Sequence, residues 1–552
     1  MGTRSRARLA TTAILASFGA VAVLASRPNA PFTPFLHPGD RSPLPLRELS
    51  RLLGLDALDR DVAALVGAAL LVASAIAFVY AARVAWRGDL SVSRVIWVGV
   101  ALHVLAFVLP LFLSRDVYSY AYYGRMVSRY GVNPYLFTPG QFLQDPFYLY
   151  VSHFWIDSPS VYGPAFSALA GWATGIASSV PGTVDAFKLV AAVAGVGTML
   201  AVVAAARQVR PRRAAFAGLL IGWNPVLIFH NVAGGHNDAL VGLAVALAAL
   251  LVLSRRDVLA TGVLVLGCLV KATAVIPLAM LVVGSVAARP KGRRLRSLAA
   301  HAAMGLVVGL PFVIRFFSLE DPSMGQLELA TRQGWLAPSR FLVVTLREAV
   351  NAVAGETAGD LTSALIRIVF PVVLALVLVS IGRHVARRPD RIRPELIVAA
   401  MGWATLFGLM MAPILLPWYA AWMIPLAWLL PKPARGGAIF ISVALVITEL
   451  MSEPTRSPRV WEVMVIWLHW VATPIVLAVL VRLLLELRAR LRMGPAEGAS
   501  DPLLTERPIL RSRVLRILDR AVSGREDVAD EGERPGEGGA ASSRGEREPV
   551  GG

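Results

Sequence analysis

The residues best suited to chemistry sit in a few short segments. The first reads Ser114-Arg115-Asp116-Val117-Tyr118-Ser119-Tyr120-Ala121-Tyr122-Tyr123-Gly124-Arg125, directly after an apolar run. A carboxylate so placed suits a general base or ligand, and the aromatics beside it suit sugar rings. In a helix, Asp116, Tyr120 and Tyr123 share one face at i, i+4 and i+7. The structural alternative makes Asp116 a cap on an interfacial helix whose tyrosine rings lie at headgroup depth. No second acid lies within two residues of Asp116, so an Asp-x-Asp metal clamp is not expected. Asp145 and Asp157 occur in Asp-Pro and Asp-Ser-Pro contexts and read as turns.

Two further segments carry polar groups at membrane edges. Gly234-Gly235-His236-Asn237-Asp238 follows Trp223-Asn224-Pro225, and its glycines allow a tight turn or a close approach to a ligand. Ionisable groups at such depth are functional candidates, although Asn237 and Asp238 also fit a helix cap. As metal ligands, His236 and Asp238 lack a third partner. Lys271, in Lys271-Ala272-Thr273, interrupts the apolar stretch 258–288 and requires a partner or a water-filled cavity, unless it snorkels to an interface. A lipid-linked phosphate is one such partner; a buried carboxylate such as Asp238 is the other. Arg315 and Arg332 are weaker candidates for phosphate or sugar. Tyr162 opens the stretch after the first loop, and Trp418 and Tyr419 stand where another apolar run begins, as an interfacial belt or a sugar platform.

What must position these residues is a membrane scaffold. Of 552 residues, 56% are apolar and only 16% charged, well below the ~25% charged of soluble proteins. Apolar runs near the ~20 residues a bilayer requires recur throughout. The expected fold is an all-α polytopic bundle of about 13 spans, with outer loops at 114–162 and 317–361 and interfacial helices in the first. Short arginine clusters around 83–94, 207–213, 289–296 and 383–393 belong on the cytoplasmic side. That assignment leaves one conflict: 163–206 offers two apolar runs where one crossing is needed, so 163–180 is re-entrant or the rule fails at Arg207. Residues 1–487 form the membrane domain. Residues 488–552 form a cytoplasmic tail, with a basic amphipathic helix about 508–522 and a Gly/Glu-rich end unable to form a core. The single cysteine, Cys268, excludes an intramolecular disulfide. The net charge of +18 is explained by topology, so nucleic acid is not an expected partner.

In order and spacing, Arg115-Asp116-Val117-Tyr118-Ser119-Tyr120, Gly131-Val132-Asn133-Pro134-Tyr135 and Tyr162-Gly163-Pro164 form the first part of a set. Trp223-Asn224-Pro225, Gly234-Gly235-His236-Asn237-Asp238, Val270-Lys271-Ala272-Thr273 and Pro417-Trp418-Tyr419 complete it. This set resembles the actinobacterial polyprenol-phosphate-mannose-dependent α-(1→6)-mannopyranosyltransferases of the GT-C class over roughly residues 95–425. The resemblance implies an inverting transfer of mannose from polyprenyl-phosphate mannose to a growing glycolipid mannan, the core of lipomannan and lipoarabinomannan. The site would lie on the extracytoplasmic face of the plasma membrane. It further implies Asp116 as catalytic base, and Arg115, Lys271 and Arg315 around the donor phosphate. Tyr120, Tyr123, Tyr162, His236, Asn237, Asp238, Trp418 and Tyr419 would contact sugar. Membrane lipids are the other expected partners. No cofactor is expected, with metal dependence left open. The competing readings are a GT-C enzyme for another lipid-linked sugar and a lipid or solute transporter.

Overall fold

Capping groups mark where the apolar runs become helices. The Asp59 carboxylate accepts from the Asp61 amide at 2.8 Å, and Ser91 Oγ accepts from the Arg94 amide at 3.3 Å. Each satisfies an amide that a helix start leaves open. The computed structural model describes residues 2–34, 44–320, 322, 334, 336–387, 392–451, 457–493 and 501–506. The first half of the bundle comprises α1 (Thr3–Ala25), α2 (Leu44–Leu52), α3 (Arg60–Trp86), α4 (Val92–Val108), α5 (Asp116–Ser128), α6 (His153–Ile156), α7 (Pro164–Ile176), α8 (Val180–Val209), α9 (Ala214–Gly222) and α10 (Asp238–Leu253). The second comprises α11 (Asp257–Val270), α12 (Val275–Ala287), α13 (Arg294–Phe316), α14 (Pro338–Ala354), α15 (Glu356–Ala386), α16 (Pro394–Met410), α17 (Ala420–Ala427), α18 (Lys432–Ala444), α19 (Pro458–Trp467) and α20 (Thr473–Arg492). No strand occurs among the described residues.

The chain is a polytopic all-α membrane protein. Among the described residues seven helices are long and apolar enough to cross a bilayer, and the bent pair 211–222 and 226–233 makes up to eight. Five more apolar helices are only 10–17 residues long. A total near 13 is reached only by counting them too.

The parity conflict disappears in the structure. α7 has 13 residues, well short of the ~20 a span requires, and it lies across α5 instead. A Cβ at Gly124 would run into the Ala170 carbonyl, and Ser128 Oγ meets Thr174 Oγ1 at 3.0 Å. Between 163 and 206 only the 30-residue α8, about 45 Å long at the helical rise, is long and apolar enough to cross. Its far end brings Arg210 and Arg213 among the other arginines. The Arg213 guanidinium lies 3.3 Å from the centre of the Trp86 ring, and Arg435 stacks on the same ring at 4.0 Å. Nearby in sequence to Trp86, Asp89 holds Arg6 at 2.7 Å. We call this the arginine end.

Residues 501–506 pack into that end. Glu506 binds Arg210 at 2.9 Å and Arg435 at 3.1 Å, Trp403 Nε1 donates to the Leu503 carbonyl, and Leu503 is fully buried. The basic helix expected over 508–522 and the loop around Arg332 lie outside the described residues. The long stretch 258–288 divides at Lys271, whose extended backbone separates α11 from α12.

The segment after α5 is folded back by one buried strut. Arg125 meets Asp145 at 2.8 Å, and the same carboxylate accepts from Tyr130 Oη and the Phe147 amide, both at 2.8 Å. Asp145 therefore does more than form a turn. Replacing Asp145 with Asn leaves a buried guanidinium short of its counter-charge, a loss of about 3–5 kcal/mol. Hydrogen exchange of residues 139–156 is expected to quicken at least about 100-fold while α3 and α16 keep wild-type protection. Unchanged exchange in that loop would contradict the strut.

Candidate functional site

Four chain breaks meet at the site: the starts of α5, α10 and α17, and the interruption between α11 and α12. Each arises from local sequence. Ser114 Oγ accepts from the Asp116 amide at 3.2 Å and so begins α5 without using the Asp116 carboxylate. Asn224 Oδ1 accepts from the Val226 amide at 3.0 Å, ending α9 and opening the wider turns of 226–233. Gly235 then adopts a φ of +67°, and a Cβ there would stand 3.2 Å from Val117 of α5 and 3.4 Å from the Lys188 side chain. A Cβ on Gly234 would collide with the His230 carbonyl. The glycine pair is what lets His236 and Asp238 come so close to α5.

Asp238 and Lys271 form a buried ion pair. Lys271 Nζ lies 2.9 and 3.1 Å from the two carboxylate oxygens. Trp422 Nε1 donates to one of them at 2.7 Å, and the ammonium stands 4.4 Å from the centre of the Tyr419 ring. Of the two partners weighed for Lys271, the carboxylate is the one in place. Asp238 thus spends its charge on Lys271, and Asn237 makes no side-chain cap at the start of α10.

Asp116 and His236 form the second pair. His236 Nδ1 lies 3.9 Å from the Asp116 carboxylate and 3.1 Å from Tyr120 Oη, and its ring stacks on Trp418 with centroids 3.7 Å apart. Burial, aided by the Lys271 charge, holds the imidazole well below its ordinary pKa, so it is neutral. Burial pushes the Asp116 carboxyl up to about 6; Asp238 adds to this, while Lys271 and a hydrogen bond from Trp155 oppose it. About 22% of the Asp116 side chain stays accessible, which leaves it reachable from outside. His236 Nε2, both side-chain polar atoms of Asn237 and Thr273 Oγ1 are buried without a hydrogen-bond partner among the described residues. Such unspent capacity in a native interior calls for an explanation.

The other predicted residues differ in their placement. Tyr120 is enclosed by Tyr162 and Phe166 with ring centroids 4.8 and 4.9 Å away, and Tyr123 Oη donates to the Ser158 carbonyl at 2.9 Å. Tyr118, Tyr120, Tyr122 and Tyr123 are all at most 1% exposed. The expectation of rings at headgroup depth on an interfacial helix is therefore corrected: α7, α8 and the folded loop cover α5. Arg115 reaches the Tyr150 carbonyl at 3.0 Å and ties down the loop beside Asp116. Arg315 is exposed beside Phe316, and no hydrogen bond or ion pair joins it to the cluster among the described residues. Nor, among the described residues, does any group of three His, Cys, Asp or Glu side chains converge to hold a metal ion. Two participants escaped the sequence reading. Trp155 lies 39 residues from Asp116, with no periodicity to link them. Trp422 was visible only as the aromatic four positions after Trp418.

A polytopic helical membrane protein with an acid and an imidazole brought together at chain breaks is the class these features define. The family described as alpha-(1->6)-mannopyranosyltransferase, N-terminal domain, matches residues 41–288, a range that holds Asp116, His236, Asp238 and Lys271. Alpha-(1->6)-mannopyranosyltransferase A of Mycobacterium tuberculosis is 28% identical over 428 residues, 70% of this chain and 78% of that protein. The enzyme of the same name from Corynebacterium glutamicum is 33% identical over 182 residues, 32% of this chain and 36% of that protein. Alpha-(1->6)-mannopyranosyltransferase B of that organism is 28% identical over 345 residues, 58% of this chain and 56% of that protein. Over these ranges the chain is similar to the alpha-(1->6)-mannopyranosyltransferases. No solved structure matches it.

The ion pair makes a distinctive prediction. Lys271→Met alone strands the Asp238 carboxylate and should cost about 3–5 kcal/mol, whereas Lys271→Met with Asp238→Asn should recover most of that loss. Thermal unfolding in detergent checks this. Equal destabilisation by the single and double variants would show that the pair is not coupled.

Proposed function

We propose that the protein is an inverting mannosyltransferase that takes mannose from polyprenyl-phosphate mannose and adds it to a growing α-(1→6)-mannan acceptor. Similarity to the alpha-(1->6)-mannopyranosyltransferases supports the mannosyl class. The observation that carries the reading is Asp116, a partly accessible carboxylate with a raised pKa, set among aromatics beside a neutral imidazole. A base of this kind is matched to a hydroxyl whose proton leaves as the oxygen attacks.

In the proposed step the acceptor hydroxyl oxygen attacks the anomeric carbon of the β-linked donor while its proton passes to Asp116. The bond from that carbon to the phosphate oxygen breaks, its electron pair leaves with the phosphate, and the new linkage is α. The departing phosphate needs positive charge more than a proton. We assign this role to Arg115 at the head of α5 and to Lys271, which would share its charge between Asp238 and the phosphate. His236 Nε2 and the Asn237 amide, both with hydrogen-bonding capacity to spare, suit sugar hydroxyls once the donor opens the turn. The charged helix ends support an extracytoplasmic site: α4 and α8 both have one end among arginines and the other toward Asp116, and arginine clusters are retained inside.

Asp116→Asn is expected to reduce transfer from polyprenyl-phosphate mannose in membranes by about 10²–10⁴-fold with donor binding retained. Because the base acts deprotonated and its pKa is raised to about 6, wild-type transfer should be level above that pH. Below it the rate should fall roughly tenfold per unit, where an ordinary aspartate would hold its rate to about pH 4. Full activity in the Asn variant would remove Asp116 from the chemistry.

A further inference from the structure

Away from the site, a groove of about 780 Å³ opens between α15 and α20 at the arginine end, within the range of small-molecule sites. Its rim is cationic. Arg383 in the last turn of α15 and Arg387 at its C-cap, with Arg488 and Arg492 on α20, line it one turn apart and are exposed. Like charges at i, i+4 repel, and no carboxylate neutralises these four among the described residues. The neighbouring acids are already engaged: Asp501 faces His384 at 3.2 Å, and Glu486 holds Arg490 at 2.8 Å. Away from the rim the walls turn apolar, with Leu376 and Val377 facing Leu484 and Leu487.

We propose that this groove binds an anionic membrane phospholipid, its phosphate held by the four arginines and an acyl chain lying between α15 and α20. Charge and surface match one occupant only. An arginine rim at the end of a bilayer-crossing helix stands at headgroup level and suits phosphate, and the walls below it suit a hydrocarbon chain. The chain's own tail fits poorly. Its basic stretch carries Arg511, Arg513, Arg516 and Arg520, of the same sign as the rim, and its acidic end after 524 has too few apolar residues to fill the walls. The site is separate from the chemistry around Asp116 and does not depend on which sugar is transferred.

The test is native mass spectrometry of the full chain released from neutral detergent after titration with phosphatidylglycerol or phosphatidylcholine. The wild type should retain phosphatidylglycerol saturably and phosphatidylcholine at least about tenfold more weakly. Changing Arg383, Arg387, Arg488 and Arg492 together to Gln should weaken phosphatidylglycerol retention at least about tenfold. The same loss of charge through Arg207, Arg256, Arg293 and Arg296 to Gln should not. Val377→Trp with Leu484→Trp should weaken retention with every charge intact, and glycerol phosphate should not compete. Equal loss in both arginine variants, indifference to the tryptophans, equal retention of phosphatidylcholine, or full competition by glycerol phosphate would each overturn the proposal.

Discussion

A lysine and an aspartate bound to each other away from water, Lys271 and Asp238, are the interaction on which the arrangement of the site depends. Neither charge is tolerable alone at that depth. Their pairing fixes the interruption between α11 and α12 relative to the first turn of α10. The shared carboxylate also takes the Trp422 indole N–H at 2.7 Å, and the ammonium lies over Tyr419. The segment leading into α17 is thereby drawn to the same point. His236, two residues before Asp238, is carried with it and stacks on Trp418.

Asp116 arrives from another direction. It is placed by the start of α5, the crossing of α5 with α7 and the Arg125–Asp145 strut. Two carboxylates within each other's field would drive one to hold its proton; the Lys271 ammonium, paired with Asp238 and felt at Asp116, moderates this. Asp238 is consumed as a counter-ion and Asp116 is left as the acid with an open side. A paired carboxylate and a partly accessible one are thus separated by what lies next to them, not by residue type.

Much of this was legible in the sequence. The all-helical membrane fold followed from the recurrence of apolar runs, and the segments around Asp116, His236–Asp238, Lys271 and Trp418 were each marked by polar or aromatic residues out of place in such runs. That they come together was implied by the family resemblance and is visible in the distances. Other features could not be read. Hydropathy alone made 163–180 look like a span, because only tertiary contact shows that its small residues serve the crossing with α5. The tyrosines of α5 looked interfacial because what covers them comes from α7, α8 and a loop up to 40 residues away. Trp155 had no local signal at all. The positive charge, by contrast, was informative in place as well as amount: much of it gathers at the end of the bundle away from Asp116 and Asp238, where residues 501–506 also dock.

The central claim is that the cluster around Asp116 forms a glycosidic bond. The most direct measurement supplies the purified protein in liposomes with synthetic polyprenyl-phosphate mannose and a short α-(1→6)-mannoside, and determines the linkage of the product by NMR. The account predicts an acceptor longer by one mannose, joined α-(1→6), with polyprenyl phosphate released in equal amount. Movement of the lipid across the bilayer with no new glycosidic bond, or a product of retained β configuration, would contradict it.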